Sequence, residues 1–170
     1  RKYSIDYYQR EFKWGRKQIQ ELINDLTSRF LDDYEKEHQR DQVSDYGHYF
    51  IGPIIISNKD NMDYLVDGQQ RLTSLTLLLI YLRNPQKERT DQVNIDELIF
   101  SEKYGEKTFN MQVSERISCM EALFDGRPFD EDGEPKSIHN IITRYQDIVE
   151  LLPEEVTNEA LPFFIEEVYN

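Results

Sequence analysis

The sequence predicts an α+β fold, a small mixed sheet with helices followed by a helical extension. Three observations predict it. Residues 49–66 read as a β-hairpin, and apolar residues recur at helical spacing on both sides of it. Beyond Asn110, successive apolar stripes of helical period run to Tyr169.

Taken in order, Tyr3 to Trp14 form an extended, aromatic-rich lead-in carrying Tyr3, Tyr7, Tyr8, Phe12 and Trp14. Ile19, Leu22, Ile23, Leu26 and Phe30 then mark an amphipathic helix. Its end runs into the charged stretch Asp32 to Asp41, expected to be a mobile loop or a frayed helix. In the hairpin, Gly52-Pro53 implies a bulge or an edge position, and Asn58 to Asp63 is turn chemistry. Tyr64-Leu65-Val66 is the returning strand, which leads straight into Asp67-Gly68. Leu72, Leu75, Leu78, Leu79 and Leu82 set the next helix, and Leu77 and Ile80 make it apolar nearly all round. Such a helix lies inside a domain, and Asn84-Pro85 ends it. Gln86 to Asp96 is polar and linker-like. Three further helices are predicted over 114–124, 137–152 and 158–169.

The chain of 170 residues is long enough for one ordinary domain with a core. It carries 33 acidic and 20 basic residues, a formal charge of -13. That sign argues against a broad nucleic-acid grip by this segment alone, because phosphate neutralisation dominates such binding. A local basic patch at Arg10, Lys13, Arg16 and Lys17 is the exception to weigh against a solvated helix face. The single cysteine, Cys119, excludes an intrachain disulfide and sits on an apolar helix face. The longest apolar stretch is far short of a membrane span, and no signal peptide is visible. The expected setting is cytoplasmic, with no membrane partner.

The chemistry concentrates at Asp67-Gly68-Gln69-Gln70-Arg71-Leu72-Thr73-Ser74. A glycine turn, two amides, an arginine and two hydroxyls open onto the apolar helix. A helix start presents unpaired N–H groups and positive potential, and arginine adds a planar charge suited to phosphate or carboxylate. The plainer reading makes Asp67 a helix cap and Arg71 a surface arginine. A second polar cluster, Tyr8-Gln9-Arg10, offers guanidinium and rings suited to a nucleotide, or simply residues that cover the core. If both clusters converge on one anion, Arg10 and Arg71 bracket phosphate oxygens and Gln69 or Gln70 positions a water. Asp67 then holds a metal or orients that water. No G-x-x-x-x-G-K-[ST] loop and no G-x-S-x-G elbow occur. His38, His48 and His139 show no metal-ligand spacing, and His139-Asn140 lacks the companions of a His-Asn-His centre.

The order Ile5, Tyr8-Gln9-Arg10, Phe12 and Trp14, then Gln18, Leu22 and Asp25, is a recognisable series. It continues with Tyr49-Phe50-Ile51-Gly52 and Val66-Asp67-Gly68-Gln69-Gln70-Arg71-Leu72-Thr73. The series resembles the N-terminal domain of GmrSD-type, modification-dependent restriction endonucleases, a ParB/sulfiredoxin-like family marked by its Asp-Gly-Gln-Gln-Arg motif. The specific likeness covers residues 1–84, with 85–170 as a helical continuation of the same domain. It implies nucleoside triphosphate hydrolysis with Mg²⁺, coupled to restriction of modified DNA by a separate His-Asn-His-type nuclease domain or subunit. A nucleotide- or DNA-sensing or docking module without turnover is the alternative. By the same resemblance Asp67, Gln69, Gln70 and Arg71 are the catalytic motif, Asp67 the candidate metal ligand. Tyr8, Gln9, Arg10, Gly68 and Thr73 complete the nucleotide pocket. Asp6 stands where the family commonly has proline, and the cysteine that sulfiredoxins use is absent, which disfavours reductase chemistry.

Overall fold

The computed structural model describes residues 3–5, 11–103 and 106–170. A four-stranded mixed sheet runs in the order β2-β3-β1-β6, with β1 Tyr3–Ile5, β2 Ile55–Lys59, β3 Met62–Asp67 and β6 Met111–Gln112. The lead-in therefore supplies an inner strand. β1 pairs in parallel with β3 (Ser4 opposite Tyr64) and with β6 (Ser4 opposite Gln112). Ile5, Leu65 and Val113 form a small buried cluster at the sheet.

The helices are α1 Arg16–Asp33, α2 Gln69–Arg83, α3 Asp96–Ile99, α4 Ile117–Asp125, α5 Lys136–Leu151, α6 Glu154–Thr157 and α7 Leu161–Tyr169. α1 buries the predicted stripe of Ile19, Leu22, Ile23, Leu26 and Phe30. α2 buries Leu77 to Ile80 together with Leu82. One large core joins both helices to α4, α5 and α7, and α5 packs against both α1 and α2. Phe30 meets Phe164 edge-on, with ring centroids 5.3 Å apart.

The hairpin is shorter than predicted. Residues 49–54 form no strand, and the register shift falls between Ile55 and Ile56 instead of at Gly52-Pro53. Gly52 takes φ +89 and proline lacks an N–H, so neither continues a ladder. The turn itself is tight. Asp60 (φ 53) and Asn61 (φ 60) are both left-handed, as a two-residue type I′ connection requires.

Other segments also differ from expectation. The charged stretch after α1 is anchored: Tyr34 stacks on Phe30 at 5.1 Å, the His38 ring is 2.8 Å from the Tyr46 hydroxyl, and Arg40 pairs with Glu166. A 3-10 turn follows over Arg40–Asp45. The linker-like stretch folds around Gln86, whose buried amide donates to the Val93 carbonyl and accepts from its N–H, both at 2.9 Å. The second half also contains strands: β4 Phe100–Lys103 and β5 Glu106–Phe109 form a separate antiparallel pair, and β6 joins the main sheet.

Candidate functional site

Strand β3 carries the chain from the sheet to Asp67, and Gly68 then turns it into α2. Gly68 has φ +90, and a Cβ there would lie 3.2 Å from Ile54 Cγ1 and 3.4 Å from the Pro53 carbonyl oxygen. Both the left-handed backbone and the close approach favour glycine. Gly68, not Asp67, is the N-cap residue, and no side chain caps the helix. Asp67 instead accepts a hydrogen bond from the Gly68 N–H (2.8 Å) through Oδ1. Its other oxygen lies 3.9 Å from Arg71 Nη2, and the side chain is 54% exposed.

The motif's next three residues have different surroundings. Gln70 clamps the loop before α1. Its Oε1 accepts from the N–H groups of Lys13 (2.7 Å) and Trp14 (3.2 Å), and its Nε2 donates to the Glu11 carbonyl (2.8 Å). Arg71 clamps the loop before β2, donating from Nη1 to the Ile51 carbonyl (2.8 Å) and from Nη2 to the Pro53 carbonyl (3.0 Å). The approach is so close that a Cβ on Gly52 would fall 1.8 Å from Nη1. Gln69 differs from both: its Oε1 is buried without a hydrogen-bond partner. Thr73 donates to the Gln69 carbonyl (2.7 Å) and accepts from Arg116 Nη1 (3.0 Å).

Sequence reasoning passed over Arg116, which reads as an ordinary charge just before α4. Its side chain is buried, and burial lowers its pKa to about 10, so it still carries charge at neutral pH beneath the motif helix. Asn140, which in sequence sits beside His139 without the companions of a His-Asn-His centre and within the helical continuation, holds the loop before α1. It donates to the carbonyls of Phe12 and Trp14, both at 2.9 Å, while Ser137 Oγ accepts from the Phe12 N–H (2.9 Å). The loop over 11–14 is thus held from α2 and from α5. The Asp25 and Tyr49 of the recognised series also meet, the tyrosine hydroxyl donating to Asp25 Oδ2 (3.0 Å). Burial and this bond raise the Tyr49 pKa, against a lowering pull from Arg71.

Tyr8, Gln9 and Arg10 lie outside the described residues, as does Asp6. The other members of the basic patch are neutralised. Lys13 is 3.3 Å from Glu11, Lys17 is 3.9 Å from Glu21, and Arg16 pairs with Asp147 and, at 2.8 Å, with Glu150. Among the described residues no three His, Cys, Asp or Glu side chains gather as a metal cage, and no helix is long and apolar enough to cross a membrane.

The family model for the GmrSD restriction endonuclease N-terminal domain matches residues 1–169. The chain belongs to this family. The match to the GmrSD N-terminal domain runs well past residue 84, through α4, α5, α6 and α7. It makes this chain a module of a restriction endonuclease system. Among curated proteins none matches the chain.

Proposed function

We propose that the start of α2 binds a nucleoside triphosphate with Mg²⁺ and hydrolyses it. On this reading the domain regulates a His-Asn-His-type nuclease domain or subunit that restricts modified DNA. One observation carries the proposal: at the open end of α2, a half-exposed Asp67 carboxylate stands 3.9 Å from the Arg71 guanidinium. Family membership supports it.

Each residue's chemistry suits its assigned part. Arg71 spends two of its five N–H groups on carbonyls, which leaves others for phosphate oxygens. With Gln70 engaged by the loop, Gln69 is the motif's one unengaged amide, and it would have to turn out of its buried setting to position a water. Asp67 is the motif's one carboxylate. A single carboxylate fits Mg²⁺, which keeps waters and takes phosphate oxygens instead of a full protein cage. The bound ion would offset phosphate charge. In the proposed step the water oxygen bonds to the γ-phosphorus as the bond to the β–γ bridging oxygen breaks. Nucleoside diphosphate and phosphate leave, and the water's proton goes to the released phosphate.

The test is Asp67→Asn, followed by nucleotide binding and phosphate release. The amide keeps an acceptor for the Gly68 N–H, so the fold should stand. Release should fall by roughly 100-fold or more while binding persists. Normal turnover would remove Asp67 from the mechanism, and a parent that binds no nucleotide with Mg²⁺ would remove the reading. The engagement of Gln70 and Arg71 with backbone favours a second reading, a sensor without turnover. Binding without phosphate release, in the protein joined to its nuclease portion, would select it.

A further inference from the structure

Between α1, the loop before β2, α2 and α7 lies a cleft of about 320 Å³. That volume is in the range of small-molecule sites. Tyr49, Ile51 and Leu75 line the side nearest the motif. Ile51 supplies the carbonyl that Arg71 Nη1 holds at 2.8 Å, and Leu75 is one turn along α2 from Arg71. Through these two residues the cleft neighbours Arg71, although no motif residue lines it.

Phe164, Glu167 and His48 contribute to its other walls. Glu167 is the unusual member. Its Oε2 is buried with no hydrogen-bond partner, and desolvation raises the carboxyl's pKa against the opposing pull of His48 and Arg29. Arg29 is committed elsewhere: its Nε donates to the Gly47 carbonyl (2.9 Å), and its Nη2 lies 3.8 Å from Asp33. A buried acceptor left without a donor costs free energy that a ligand N–H can recover.

We propose that this cleft receives the base and ribose of the triphosphate bound at the start of α2, and that Glu167 selects guanine. The proposal rests on the nucleotide-binding reading above. A carboxylate accepts best from two parallel N–H groups. Guanine offers them side by side, on N1 and on its exocyclic amine. Adenine and cytosine place a ring acceptor next to their amine, and uracil flanks its one N–H with two carbonyls. Each of those acceptors would oppose the carboxylate.

The test is calorimetric titration of the parent and of Glu167→Gln with GTP, ATP, CTP, UTP and inorganic triphosphate, all with Mg²⁺. A thermal melt confirms that the variant folds. The parent should bind GTP tightest. Glu167→Gln should weaken GTP by roughly 10- to 100-fold, the value of a bidentate base contact, and leave inorganic triphosphate within about twofold. Preference for another base, or a GTP preference that survives Glu167→Gln, overturns the role of Glu167. Inorganic triphosphate binding as tightly as every nucleotide overturns the base cleft and leaves the phosphate site standing. A parent that binds none of the five removes the phosphate site and the cleft's role with it.

Discussion

Gln69 and Gln70 are adjacent identical side chains in one motif, and the structure predicts opposite consequences for removing them. Gln70→Ala deletes three hydrogen bonds to the loop over 11–14, with lengths of 2.7, 3.2 and 2.8 Å. A net contribution of about 0.5–1.5 kcal/mol per bond is usual, and this amide is only half-buried, so the lower part of that range applies. The expected loss is about 2 kcal/mol, or roughly 4–8 °C in Tm for a domain of this size. The loop remains tied to α5 by Asn140 and Ser137, so the variant should fold. Gln69→Ala deletes an amide whose oxygen has no partner and should stay within about 0.5 kcal/mol of the parent. Urea unfolding of the two variants beside the parent is the assay, with unchanged m-values as the check on two-state behaviour. Equal losses in the two variants, or a Gln70→Ala variant as stable as the parent, would refute the clamp.

Three further outcomes follow from the same geometry. Gly52→Ala must fit a Cβ at φ +89 and 1.8 Å from Arg71 Nη1, so it should cost about 2–4 kcal/mol in urea unfolding, the left-handed backbone and the displaced Arg71 bonds both contributing; a loss under about 1 kcal/mol would contradict it. Glu167 has a folded pKa raised above its ordinary 4.5, so its contribution is fully present below that value and is lost as pH rises through the raised one. Glu167→Gln should therefore gain stability over the parent between pH 4 and pH 7, and a difference that does not change with pH would contradict burial as the cause. Cys119 is buried and its thiol is pushed up to about 12, so iodoacetamide at pH 8 should label it only in denaturant; labelling of the native protein would show that the α4 face opens.

The parts of the fold legible in sequence are those set by local chemistry. α1 and α2 follow from apolar spacing, and the Asp60-Asn61 turn follows from residues that tolerate a left-handed backbone. β1 reads only as part of an extended lead-in, and β6 has no signal of its own. They are three and two residues long and become strands by pairing with one another and, in β1, with β3 about 60 positions away. The charged stretch after α1 misleads for a related reason, since its order comes from Phe30, Tyr46 and Glu166 and not from its own composition. At the site, the position of the motif was legible and the partners of its side chains were not. Arg116 gave no warning because only tertiary packing distinguishes a buried arginine at a helix start from an exposed one.

The helix itself explains why the motif could not converge as a string of letters suggests. Consecutive residues on an α-helix point about 100° apart, so Gln69, Gln70 and Arg71 cannot all face one small ligand. The structure shows the consequence. Gln70 turns to the loop before α1 and Arg71 to the loop before β2, and each spends its hydrogen bonds on backbone. They build two walls around the start of α2. Asp67, just outside the helix, and Gln69, at its first position, keep unspent acceptors. Loss of activity in Gln70→Ala or Arg71→Ala is therefore ambiguous between chemistry and architecture, whereas the same loss in Asp67→Asn at parental stability is not. On the reading proposed above, the motif's role divides along the helix's own geometry: Asp67 is left for the reaction, and Gln70 and Arg71 serve first the site that would hold it.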